Sequence, residues 1–268
     1  MTTLTASPTT TAAVAERATA IPMSRLIRVE LRKLVDTRAG FWLAASIGLG
    51  SVIVMVAMLI ANRDNPANLT FGQFFGMMNI PIGIILPVMA ILLVTGEWSQ
   101  RTALTTFTME PRRERIVVAK LTTALIAAVG AVAVALAMGA LGNVIATVAL
   151  PDPAGAWSFT AAGLVNSFVL QLFGLLLGFG FAALLLSTPG AIVAYFALPT
   201  LFALISQVVP WFADHLGQWI DVAATQEPFQ TEFWPTGGEW AKIAVSALLW
   251  IALPLAIGVA RILRSEIK

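Results

Sequence analysis

The 268-residue chain contains no cysteine, which removes disulfides, thiolate nucleophiles and thiolate metal ligands together. It also leaves no thiol from which to read a redox compartment. The one histidine, His215, offers a single imidazole, and one His without Cys does not make a zinc site. Charge is scarce as well. Asp, Glu, Lys and Arg make up 11% of the residues, against about 25% in a soluble domain. The net charge of +2 is too small to point to nucleic acid. No Gly-x-x-x-x-Gly-Lys-[Ser/Thr] stretch occurs, so the chain has no phosphate loop of its own. Residues 1–22 are rich in Thr and Ala, carry Pro8 and Pro22, and lack the apolar run of a signal peptide. Residues 1–23 are expected to form a disordered cytoplasmic tail.

What the chain does have is apolar residues, 58% of the total. A helix needs about 20 of them in a row to cross about 30 Å of hydrocarbon. Six runs qualify: 40–61, 74–95, 116–150, 163–187, 191–210 and 243–263. The expected fold is an all-α integral membrane protein with six transmembrane helices in a domain spanning 40–268. The third run has 35 residues and would be about 50 Å long, so it tilts or projects from the bilayer. Ser187-Thr188-Pro189-Gly190 separates the fourth and fifth runs. Pro-Gly is strong turn punctuation, which favours two antiparallel spans, with one bent helix plus a re-entrant piece as the alternative.

With both termini inside, fourteen of the 16 basic residues fall on the cytoplasmic side, leaving only Arg63 and Lys242 outside. Lys/Arg bias sets membrane orientation, so this is the expected topology, in a plasma membrane. Residues 24–38 read as an amphipathic helix. Leu26, Ile27, Leu31, Leu34 and Val35 lie close to helical spacing, Ser24 is a candidate cap, and Arg28, Arg32, Lys33 and Arg38 occupy the other surface. Residues 24–39 are therefore expected to lie in the interface as an element leading into the first span. The outer loop, 211–240, carries Trp211, Trp219, Trp234 and Trp240. It reads either as short interfacial or re-entrant helices or as a simple aromatic belt.

No run has Asp, Glu, Lys, Arg or His in its interior, and Lys120 falls at the interface end of the third. That argues against a proton antiporter. No paired carboxylates and no Ser-His pair suggest catalysis, so the chain is not expected to be an enzyme. The intramembrane polar residues are amides: Asn79, Asn143, Asn166, Gln171 and Gln207. They read as interhelical glue or as the lining of a substrate path, for which Asn79, Asn143 and Gln171 are the candidates. Asn79 ranks first because Pro81 and Pro87 nearby free backbone groups. Gly174 and Gly178 form a small-xxx-small pair for close helix packing, within the chain or in a dimer.

The strongly charged segment between two apolar runs is 96–120, GEWSQRTALTTFTMEPRRERIVVAK. Residues 102–109 have helical character with Leu104, Phe107 and Met109 apolar, and Pro111 ends them. Arg112, Arg113 and Arg115 open the next run. Basic stop signals alone do not explain a short apolar-bearing helix between Glu97 and Pro111.

Three features together resemble the permease subunit of a type-2 ATP-binding-cassette transporter, of the exporter branch that includes bacitracin- and lantibiotic-type permeases. The first is Glu30-Leu31-Arg32-Lys33 on the helix before the first span. The second is the Glu97 to Thr102 step after the second span. The third is Pro111, Arg113 and Lys120 leading into the third. The family often has Gly where this chain has Arg101. The resemblance implies an N-terminal elbow helix, with Arg28, Glu30, Arg32 and Lys33, and a coupling helix in a cytoplasmic loop over 96–116. Glu97, Arg101, Thr102, Leu104, Phe107, Arg112, Arg113 and Arg115 would contact a partner. It implies two separate ATPase subunits that hold ATP and Mg, a second permease copy or homologue, and an outer gate with Trp211, Trp219 and Trp234. The cargo expected is a hydrophobic or amphipathic drug, peptide or lipid. A channel or carrier that is not ATP-driven, or a scaffold or sensor subunit, is the alternative.

Overall fold

The computed structural model describes residues 21–100, 102–150 and 154–264. No strand forms among them; Thr70 and Ala156 make an isolated bridge. Helix α1 is Met23–Asp36, α2 Arg38–Ala61, α3 Phe71–Ser99 and α4 Ala103–Met109. They are followed by α5 Arg113–Ala149, α6 Ala161–Leu185, α7 Thr188–Val208 and α8 Gly237–Arg264. Six of these, all but α1 and α4, are long and apolar enough to cross a membrane. The chain is a multi-pass helical membrane protein.

Local chemistry sets the helix starts. Thr37, Thr70, Thr160 and Ser187 each accept a backbone N–H three residues on, and Thr236 with Glu239 forms a full capping box. Helix α1 departs from expectation here: it starts at Met23 after Pro22, with no side-chain cap, and Ser24 lies inside it. A single residue, Thr37, separates α1 from α2. The turn is tight enough to demand Gly40, because a Cβ there would sit 1.8 Å from the Leu34 carbonyl oxygen.

Helices α6 and α7 are separate. Leu186 adopts the left-handed conformation with φ 53°, which ends α6, and Ser187 restarts the chain. Residue contacts give the helix directions. Gln171 meets Asn79 and Gly178 meets Pro87, so α6 runs parallel to α3. Thr188 meets Thr95 and Tyr195 meets Gly83, so α7 runs antiparallel to α3 and to α6. Helix α5 is also antiparallel to α3, through Lys120 with the Leu93 carbonyl and Gly139 with Phe75. One end of the bundle therefore carries α1, α4 and the end of α8, and the other carries 62–70, 154–160 and 209–236.

Helix α3 is the hub, with 61% of its apolar window buried against 6% for α7. Close approach to it depends on glycine. Gly178 lies against the Pro87 backbone, and further along the bundle Gly258 of α8 lies against Ala183 and Leu184 of α6. The Gly174–Gly178 pair thus packs within one chain. Helix α8 contains a wide turn at Leu248–Ala252, just before Pro254, which relieves the missing proline N–H.

Candidate docking end and membrane cavity

Helix α4 has an anchored face and an open face. Its start hangs from α3, since the Thr102 N–H donates to the Glu97 carbonyl at 2.9 Å. Its end is set by Pro111, which holds Glu110 in extended backbone. Phe107 is the anchor, 8% exposed, edge-on to Trp98 at 6.0 Å and covered by the Arg113 guanidinium at 4.9 Å. Arg113 also donates to the Ile262 carbonyl at 2.9 Å, which ties this end to α8. Arg115 pairs with Glu110 at 2.7 Å. Leu104 is 54% and Met109 74% exposed, and Thr105, Thr108 and Arg112 are exposed beside them. Of the apolar residues read as a docking surface, Phe107 therefore turns inward, while Leu104 and Met109 stay exposed. Arg101 lies outside the described residues.

Glu97 faces inward too. With Glu30, Lys33 and Lys120 it forms an ionic quartet that joins α1, α3 and α5. Lys120 Nζ lies 2.8 Å from Glu30 Oε2, 3.3 Å from Glu97 Oε1 and 2.9 Å from the Leu93 carbonyl. Lys33 Nζ lies 2.6 Å from Glu30 Oε1 and 2.9 Å from Glu97 Oε1. Glu30, Glu97 and Lys120 are buried. Lys120, read as an interface residue, and Glu97, read as a charge flanking α4, both turn their side chains into this quartet. Both are buried, because each charge finds an opposite one from another helix. Burial pulls the Lys33 ammonium down, but Glu30 and Glu97 outweigh it and hold its pKa above 10.5. Arg28 and Arg32, on the far side of α1, are exposed.

Toward the opposite end, α3 and α6 enclose a cavity of about 480 Å³ together with Tyr195 of α7 and Phe229. Gln171 donates to the Asn79 side-chain oxygen at 2.9 Å and to its carbonyl at 3.1 Å, so both amides line one wall. Pro87 removes the N–H that would reach the Gly83 carbonyl, and the Tyr195 hydroxyl donates there at 3.4 Å. Asn143 is elsewhere. Its amide donates to the Gly155 carbonyl at 2.9 Å and anchors the loop after α5. Asn166 likewise holds Thr231 and Phe233 through their carbonyls.

Short helical turns fill 210–230. Trp211 stacks on His215, and Trp211 and Trp234 are largely exposed. Trp211, Trp219 and Trp234 do not line this cavity, whose aromatic residues are Phe75, Phe159, Tyr195 and Phe229. Phe229, one of the aromatics of the outer loop, is fully buried against Trp240, which a loop segment without periodicity does not signal.

No protein-family model matches the chain, and no curated protein matches it.

Proposed function

We propose that the chain is the membrane-spanning subunit of an ATP-driven exporter, which docks separate ATPase subunits on α4 and holds no nucleotide itself. The observation that carries this reading is the clamped α4. A seven-residue helix presents Leu104 and Met109 outward while Phe107, Arg113 and the Glu97 backbone fix it to α3, α5 and α8. A push on such a helix reaches three spans. The resemblance to type-2 ATP-binding-cassette permeases supports the same role for α4 and an elbow role for α1. In this reading two ATPases carry ATP and Mg, and a second permease copy completes the path. The end bearing α1 and α4 is cytoplasmic in the plasma membrane, as its share of Lys and Arg favours. Amphipathic cargo suits the cavity of Asn79 and Gln171, which sets Phe75, Ile80, Leu170 and Phe229 beside many hydrogen-bonding groups, Gln73, Gln226, Gln230 and Glu232 among them.

The test is co-purification. Full-length protein is expected to retain an ATPase subunit from its host membrane, and the Leu104→Asp/Met109→Asp variant to lose it while keeping its melting temperature. An ATPase held equally by both proteins, or transport that runs without nucleotide, overturns the reading; the latter favours a channel or carrier.

A further inference from the structure

A second cavity, of about 830 Å³, lies at the other end of the bundle beside α1. Ligand sites typically measure about 300–1,000 Å³. Its walls come from α1, the first turns of α2, the last turns of α3, α4 and the start of α5. Leu26, Val29, Leu34, Leu43, Met89 and Leu93 make it apolar over much of its surface. The ionic quartet lines it as well.

The quartet's hydrogen-bonding capacity is almost filled. Both oxygens of Glu30 are used, one by each lysine. Lys120 donates to Glu30 and to the Leu93 carbonyl and is ion-paired with Glu97 at 3.3 Å. Glu97 Oε1 serves both lysines, but its other oxygen, Oε2, is buried with no hydrogen-bond partner among the described residues. An unpartnered buried carboxylate oxygen is costly, and a carboxylate can only accept. The missing partner is therefore a donor. Lys33, whose side chain is 41% exposed, has two carboxylate partners and a third proton left over. The four charges cancel, and Arg25 and Glu110, which also line the cavity, add one of each sign, so the site favours neither a strongly cationic nor a strongly anionic head.

We infer that this cavity binds an aminophospholipid, with its primary amine donating to Glu97 and its phosphate accepting from Lys33. A zwitterionic amine–phosphate head supplies one donor and one acceptor side by side, which is the pair the quartet leaves open. A choline head has no N–H to give, and a glycerol head brings negative charge without a cation. The apolar walls and the amphipathic α1 point to a bilayer lipid, whose acyl chains fill the rest of the volume. Glu97 Oε2 is sealed from the cavity, so Lys33, on a flexible four-carbon stem, must swing off Glu97 before the head reaches it.

The experiment uses the full-length protein in nanodiscs containing equal fractions of phosphatidylethanolamine, phosphatidylcholine and phosphatidylglycerol, read by native mass spectrometry. One phosphatidylethanolamine per chain is expected, preferred about tenfold, the scale of one hydrogen bond to a charged group. Glu97→Gln is expected to erase the preference. Because that change also disturbs the quartet, Gly96→Leu provides the second variant. Gly96 lines the cavity, and a Cβ there meets nothing within 4 Å, so leucine fills the space with no clash at its base. It is expected to lose the bound lipid at an unchanged melting temperature. Equal retention of the three lipids by the wild type, or an intact preference in Gly96→Leu, overturns the proposal. So does water alone on Glu97 in an experimental structure determined in these nanodiscs.

Discussion

Lys120 of α5 lies 2.8 Å from Glu30 of α1, joining two residues 90 positions apart in a contact that excludes solvent from both side chains. Neither group could be buried alone. Glu97, between them in the chain, completes the set and brings in α3. Helix α1 is thus bolted to the two spans that flank α4.

Removing Lys120 leaves two buried carboxylates sharing one partly exposed lysine. Lys120→Met is expected to lower stability by about 3–5 kcal/mol, the cost of breaking a buried pair from one side. Thermal melting in nanodiscs measures it. The triple variant Glu30→Leu/Glu97→Leu/Lys120→Met is expected to recover much of the loss, because the one charge left, on Lys33, is partly exposed to water.

The two apolar residues of α4 are expected to separate cleanly. Phe107→Ala removes the anchor beneath Arg113 and costs about 3 kcal/mol. Leu104→Asp, on the exposed face, leaves the stability within about 0.5 kcal/mol of wild type. Equal destabilisation by both would contradict the packing described for α4.

Gly40→Ala tests the turn between α1 and α2. Its Cβ would meet the Leu34 carbonyl at 1.8 Å, so the backbone must shift. Overpacking of this kind costs about 1–3 kcal/mol. Limited trypsin digestion is expected to cut faster at Arg38.

The tether of α1 has a pH signature. The Lys33 pKa is raised in the folded protein, so its ion pairs contribute fully below 10.5 and are lost as pH climbs through the higher folded value. Wild type and Lys33→Met should differ in stability by a constant amount from neutral pH to about 10, and converge only above that. A difference that vanished between pH 6 and 8 would refute the assignment.

At the opposite cavity, Gln171→Leu deletes two bonds to Asn79. Such interhelical bonds average about 0.6 kcal/mol each, so the fold should survive. Under the proposed exporter function, cargo selectivity in a vesicle transport assay is expected to change while ATPase retention does not.

The sequence by itself determined the six spans, their alternation and the break near Pro189, because hydropathy, length and turn chemistry are local properties. Placing a short helix between Glu97 and Pro111 was also within its reach, for Pro111 can end a helix wherever it falls. Only the tertiary structure decided which way that helix faces. Phe107 and Leu104 look alike in sequence, and the difference is Trp98, Arg113 and Ile262 waiting beneath one of them. The amides divided in the same way, Asn79 and Gln171 meeting across α3 and α6 while Asn143 tied a loop. The ionic quartet was least legible of all. Its charges sit in segments that read separately as an amphipathic helix, a span end and a span start. Pairing across 64 and 90 positions is a property of how helices pack. Burial of those charges follows from the pairing, since only opposite charges brought together offset the cost of leaving water.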